Sequence, residues 1–413
     1  MPTNEELQQQ LKLAQYKLKA LLGITLAINK NMPAHDLLEK YRDILCEGLN
    51  VGTLVVFTIQ DNLWNKVLSY GVSEEFGNNA DEVSSALLSF VTITQVTDRT
   101  DSFFADFDII IPVYHKSRPL AYVLLGKVKG NEELFGKSSV FNHLNTIRAL
   151  SNIVVSALEN KRLYKKSLEQ EILKKELEVA SRMQAMLIPS VDALPNNDFL
   201  RVNVFYKPHQ MVGGDYYDFL KLNDYEYGFC IADVSGKGIP AAILMANFQA
   251  NIRILFKRSV SLKHLVNELN ENVNENVRGD SFVTFFIAKY NAQNKILHYV
   301  NAGHNPPLLY DSPTKTVSEL TLGCVGLGML DDIPQITMGT VEISSGDKLI
   351  CFTDGLVEGM NEQGVQFGTE PIVTALKENE SASSAVDCLS KTLHDYTNGK
   401  FSDDVSIFGI DFL

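Results

Sequence analysis

Four aspartates in the C-terminal half of the chain stand where an apolar run meets a glycine- or serine-bearing turn. Asp215 closes Val212-Gly-Gly-Asp215 and precedes the run Tyr216 to Leu222. Asp233 follows the apolar stretch Tyr227 to Ala232 and opens Asp233-Val-Ser-Gly-Lys-Gly238, ahead of a long apolar helical pattern. Asp354 ends Leu349-Ile-Cys-Phe-Thr-Asp354-Gly355, and Asp403 lies in Phe401-Ser-Asp403-Asp404-Val-Ser-Ile407. A single carboxylate at a strand end is more often a helix cap or turn residue than a metal ligand. Four in one domain are hard to explain as four unrelated turns. Carboxylates gathered at one end of a sheet supply the oxygen ligands that hard divalent cations take. A carboxylate at the end of a core strand is also rigidly placed, and Gly236 and Gly238 let the backbone turn tightly beside it.

With their flanks and order, these residues resemble the SpoIIE/RsbU-type branch of the metal-dependent PP2C-like (PPM) serine/threonine phosphatases. The resemblance runs from Lys175 to the C-terminus. It rests on Gly213-Gly-Asp215-Tyr-Tyr-Asp-Phe, Asp233-Val-Ser-Gly-Lys-Gly, Asn301-Ala-Gly-His-Asn-Pro-Pro307, Gly326-Leu-Gly328, Thr353-Asp-Gly355 and Asp403-Asp-Val-Ser. It implies two divalent cations, Mn2+ or Mg2+. Asp233 would bridge them, with the Val234 carbonyl on one. Asp354 and Asp403 would hold the other, and Asp215 would contribute directly or through water. Asp233 and Asp354 are the implied catalytic residues. Such a pair of ions acidifies a bridging water and clamps phosphoryl oxygens during in-line displacement.

Some positions depart from the family pattern. Lys237 stands where many members carry histidine, and Ser406 replaces the commoner threonine. The basic residue that binds phosphate in eukaryotic PP2C enzymes has no evident match. His304 could protonate a leaving serine oxygen, although a histidine that orients its own loop is the plainer reading. Asp218 reads as a locally bonded residue, and Asp354-Gly355 could be a plain turn.

The chain of 413 residues, with net charge −13, has no basic field to attract a nucleic acid or an anionic membrane. Cys46, Cys230, Cys324, Cys351 and Cys388 show no metal-ligand spacing, and Cys230 and Cys351 lie inside apolar strands as buried thiols. No signal peptide opens the chain and no apolar run approaches membrane-spanning length, so a cytoplasmic location is expected.

The elements that must position the aspartates give an α+β chain in four parts. Residues 1–22 read as a helix with Leu7, Leu11, Ala14, Leu18 and Leu21 in heptad spacing, either packed on its own domain or forming a coiled-coil arm. Residues 23–155 run helix, meander and closing helix, which resembles a GAF sensory domain with a possible small-molecule ligand. Cys46 falls on a helix where core packing is favoured over a covalent bilin, and His35, His115 and His143 are too dispersed for haem. Residues 156–190 read as a coiled-coil linker, part of a helix from Ser138 to Leu187. Leu158, Lys165, Ile172, Val179 and Met186 fall seven apart there, with Lys165 and Lys175 intruding on the seam; the pattern suits a parallel homodimer better than its alternative, a stripe packed on the C-terminal domain, and Pro189 ends it. Residues 191–413 alternate strands with paired helices as an αββα sandwich, the fold the resemblance also implies.

The function expected is a signal-regulated protein serine/threonine phosphatase. The resemblance points to an anti-sigma antagonist of STAS type as substrate, in a bacterial partner-switching circuit. The alternative is a dimeric pseudophosphatase that binds partners without turnover. A phosphodiesterase or nucleotide cyclase would need a basic or glycine-rich nucleotide cradle, and the sequence offers neither.

Overall fold

A computed structural model of the chain describes residues 4–60, 63–73, 75–96, 103–104, 106–128, 143–257, 261–277 and 279–413. Contacts divide it into an N-terminal unit, Met1–Glu171, and a C-terminal unit, Ile172–Leu413.

The N-terminal unit is built on α1 (Asn4–Asn29), α2 (Ala34–Asp43), β1 (Val51–Gln60), β2 (Leu63–Tyr70), α3 (Ala80–Leu87), β3 (Thr94–Gln95), β4 (Ile109–His115) and β5 (Arg118–Val128). The strands form one antiparallel sheet in the order β2-β1-β5-β4-β3. Period-two alternation sends β1 side chains to two separate cores. Leu54 and Val56 pack with Ile24, Leu37, Tyr41 and Ile147, whereas Val55 and Phe57 join Trp64, Val83, Phe107 and Tyr122.

Helix α1 continues beyond the expected end at Leu22, because Gly23 is followed by Ile24 and Ala27, which are buried against the first core. The two readings of this helix meet in it: one face packs on its own unit, while Leu7, Leu11, Leu18, Leu22 and Leu26 remain exposed. A further helix, α4, spans Leu144–Ala185 without interruption. The expected beginning at Ser138 lies outside the described residues.

In the C-terminal unit the chain continues through β6 (Leu200–Lys207), β7 (Tyr216–Lys221), β8 (Glu226–Val234), α5 (Ile239–Lys257), α6 (Leu262–Val277), β9 (Val283–Asn291) and β10 (Ile296–Ala302). It then forms β11 (Leu308–Asp311), β12 (Thr316–Glu319), β13 (Gly323–Cys324), β14 (Gly339–Glu342) and β15 (Lys348–Phe352). The last elements are α7 (Asp354–Val357), α8 (Glu370–Glu378), α9 (Ala382–Tyr396) and β16 (Val405–Phe412).

Two sheets result, one ordered β13-β10-β9-β8-β7 with β14 beside β10, the other ordered β12-β11-β15-β16-β6. All eight residues of β16 are buried, as a strand covered on both faces requires. Phe408, Ile410 and Phe412 enter the core shared with the first sheet and α5/α6, while Val405 and Ile407 enter the core under α8/α9. The layers are therefore helix, sheet, sheet, helix, as expected.

One sequence expectation needs correction. Ile239–Phe256 of α5 is an 18-residue window of mean hydropathy 1.3, long and apolar enough to cross a membrane by length and composition. Its Ala241, Leu244, Met245, Phe248, Ile252, Leu255 and Phe256 recur at helical spacing and are buried in the sandwich core. That burial accounts for the hydropathy.

Candidate metal centre

Antiparallel pairing brings the acidic strand ends together in two pairs. Tyr216 of β7 faces Ala232 of β8, so Asp215, just before β7, lies beside Asp233 near the end of β8. Phe352 of β15 faces Ile407 of β16, so Asp354, two residues past β15, lies at the same end as Asp403, two residues before β16.

Side chains then tie the two sheets to each other at this end. Thr353 Oγ1 and Ser406 Oγ, from the second sheet, donate hydrogen bonds of 2.8 Å and 2.6 Å to Oδ2 of Asp215 in the first. Asp404 accepts from the His209 backbone N–H at 2.7 Å and from the Gly214 N–H at 2.6 Å. Asp404 thus anchors the loop that carries Asp215, which leaves Asp403 as the member of the pair facing outward.

Three glycines make this approach possible. A Cβ at Gly213 would collide with the Asp404 carboxylate, one at Gly214 would crowd the Val234 carbonyl, and one at Gly355 would collide with the Asp404 carbonyl. Val234 itself is buried at the end of β8, next to Asp233.

The electrostatics show how close the carboxylates stand. Burial pushes Asp233 up to about 7, with Asp354, Asp403 and Asp404 adding to the rise and a hydrogen bond with Asp215 opposing it. Asp215 is raised well above the usual carboxylate range by burial and by Asp233, against the hydrogen bonds from Ser406 and Thr353. Asp354 is raised by burial, then by Asp403 and Glu358. Like charges this near each other favour a bound cation or a retained proton.

One cation is already present. Lys237 Nζ lies 2.7 Å from Asp403 Oδ2. The all-oxygen donor set suits Mg2+ or Mn2+, and the lysine ammonium stands in for positive charge at one edge of it. As the side chains stand, no three His, Cys, Asp or Glu groups among the described residues close to the spacing of a bound ion.

His304 is buried, its backbone N–H donating to Asn301 Oδ1 at 2.8 Å and its Nδ1 lying 3.0 Å from Thr284 Oγ1. Burial pushes its pKa down to about 4, with the Phe352 backbone opposing in part. A ring that is neutral throughout the physiological range is a poor proton donor, so the loop-orienting reading of His304 is the one its surroundings favour. Asp218 is also buried; it accepts from the Tyr216 hydroxyl and, at 2.8 Å, from Arg253 Nε on α5, as a structural group would.

Sequence reasoning did not find the parts played by Thr353, Ser406, Asp404 and Gln184. Gln184, in the last turn of α4, brackets Gly213: its Nε2 donates to the Gly213 carbonyl at 2.7 Å and its Oε1 accepts from the Gly213 N–H at 3.0 Å. The one available signal was a polar side chain in each stretch (two hydroxyls, a carboxylate and an amide), which gives no hint of its distant partner.

Comparison with known proteins bears on the same half of the chain. Residues 223–413 match the model of the family described as Stage II sporulation protein E (SpoIIE). Phosphoserine phosphatase RsbU of Bacillus subtilis (strain 168) is 30% identical over 230 residues, covering 56% of this chain and 66% of that protein. Phosphoserine phosphatase RsbP of the same organism is 24% identical over 191 residues, covering 45% of this chain and 46% of that protein. This chain therefore spans less than two thirds of either relative's length. The solved SiaA-PP2C domain of Pseudomonas aeruginosa is similar in fold, with a TM-score of 0.52 at 20% identity over 59% of this chain and 99% of that one.

Proposed function

We propose, from the match of residues 223–413 to the SpoIIE family model and the PP2C-like fold of the unit that contains them, that this protein is a metal-dependent protein serine/threonine phosphatase. The observation that carries the reading is the convergence of Asp215, Asp233, Asp354 and Asp403 at one end of the sandwich, where the buried Asp233 feels the charge of Asp354 and Asp403.

Two divalent cations, Mn2+ or Mg2+, would supply an acidified water and positive charge against the phosphoryl oxygens. Asp233 would hold both, helped by the Val234 carbonyl, and Asp354 and Asp403 would complete one site. Thr353 and Ser406 fix the Asp215 carboxylate so that its orientation is set before any ligand arrives. The three glycines let backbone pass close to Asp404 and the Val234 carbonyl.

The relatives' names point to phosphoserine as the substrate group, borne by a partner protein. A STAS-type anti-sigma antagonist in a partner-switching circuit fits that chemistry. The N-terminal unit would be the GAF-like input module. In support, it has a five-stranded antiparallel sheet with a separate core on each face, and a cavity of about 290 Å³ lined in part by Leu38, Ile59, Val67, Leu120, Val155 and Leu158. Helix α4 would pair two copies as a coiled coil, since Leu168, Ile172 and Val179 are exposed along it. A cytoplasmic location goes with this role.

Incubating purified protein and Mn2+ with a phosphoserine-bearing antagonist protein tests the proposal. Phosphate release that requires the metal and vanishes in Asp233→Asn is the expected result. A folded, metal-loaded protein with no turnover on any phosphoserine substrate would instead favour the pseudophosphatase.

A further inference from the structure

Lys237 lies on the turn after β8, four residues beyond Asp233. It is flanked by Gly236 and Gly238 at φ of 93° and 73°, a backbone that side-chain-bearing residues rarely adopt. This tight turn aims the lysine across to the other sheet. Its ammonium sits 2.7 Å from Asp403 Oδ2 and donates to the Ser402 carbonyl at 2.8 Å. The other Asp403 oxygen accepts from the Asp404 N–H. Among the described residues, no other ion pair involves Asp215, Asp233, Asp354 or Asp403. The Lys237 side chain is half exposed, at 48%, and has open solvent to swing into.

We propose that Lys237 is a tethered counter-cation on Asp403, which a divalent ion must displace, and that the freed ammonium then binds a phosphoryl oxygen at the rim of the site. This rests on the metal-centre reading above. Asp403 Oδ2 cannot serve the lysine and a metal ion at full strength together, so the lysine lowers cation affinity at the Asp354/Asp403 side. Once displaced, the ammonium stays at the edge of the acidic cluster as the one cation paired to this carboxylate set among the described residues, where it can meet an anionic oxygen.

The test is an Mn2+ titration of the full chain, followed by electron paramagnetic resonance, for wild type, Lys237→Met, Lys237→Gln and the remote charge control Lys221→Met. Inhibition by inorganic phosphate is measured on the same proteins. Removing an exposed ion pair changes affinity by roughly two- to fivefold. Both Lys237 variants should therefore bind Mn2+ more tightly by about that factor at low salt, with the difference shrinking as ionic strength rises. Phosphate should inhibit them several-fold less well, while Lys221→Met behaves as wild type. Mn2+ binding that is unchanged or weaker in both folded Lys237 variants, with wild type binding normally, overturns the displacement. Unaltered phosphate inhibition overturns the anchoring role. A wild-type protein that binds no Mn2+ removes the metal-centre reading itself, and the inference with it.

Discussion

At the scale of single residues, the centre depends on groups that hold a buried carboxylate in one orientation. Asp215 is nearly inaccessible, and two hydroxyls from the opposite sheet offset its desolvation. A typical intramolecular hydrogen bond contributes about 0.5–1.5 kcal/mol net. Ser406→Ala should therefore lower stability by roughly that amount and cut metal-dependent phosphate release, which a thermal melt and an activity assay would register together. An unchanged melt would remove the proposed role of the hydroxyl. His304 gives a pH prediction. Its folded pKa of about 4 lies below the roughly 6.5 of an exposed imidazole. It therefore contributes stability that is complete above about pH 6.5 and is lost as pH falls toward its folded value. Proton NMR of the ring should show it neutral at about pH 5.5, and the kcat profile should carry no limb that disappears in His304→Gln. The acidic ligand candidates were legible because each sits between an apolar run and a turn. Their hydroxyl partners were not, because Thr353 and Ser406 are 138 and 191 positions from Asp215 and nothing local in the sequence encodes such pairings.

At the scale of elements, the last turn of α4 meets the loop before β7 through one amide. The two hydrogen bonds of Gln184 to Gly213 fix both the end of the helix and the backbone two residues from Asp215. Gln184→Ala should leave the fold intact, raise amide exchange at Gly213 and Gly214, and reduce kcat more than it changes KM. An exchange pattern identical to wild type would contradict this. Gly213→Ala tests the other side of the contact: its Cβ would collide with the Asp404 carboxylate, so both the melting temperature and Mn2+ affinity should fall. The strands were readable where apolar runs are long, as in β8 and β15. The short β12 and β13 escaped notice, since two to four residues such as Gly323–Cys324 carry no periodicity. Asp404 was ambiguous from sequence for the same physical reason as the hydroxyls: its partner, Gly214, is 190 positions away.

At the scale of the whole molecule, α4 carries an exposed apolar stripe that a single copy leaves in water. Ile172 and Val179, seven apart, are 50% and 43% exposed, and burying such a seam in a partner helix is the usual remedy. Light scattering on the purified chain should give twice 46.0 kDa, and Ile172→Asp with Val179→Asp should return it to a single mass. A single-chain mass for wild type at micromolar concentration would contradict the dimer. The heptad spacing of this helix was legible in the sequence, because residues seven apart on one helix form a local pattern that needs no distant contact to be seen.

The proposed activity requires four aspartates, from strand ends far apart in the chain, to hold a pair of cations. A crystal structure of the protein grown with Mn2+, with anomalous differences collected at the manganese edge, tests that most directly. The expected result is two peaks enclosed by Asp215, Asp233, Asp354 and Asp403, with Lys237 turned away from Asp403. A map with the metal in solution and no peak among these carboxylates would contradict it.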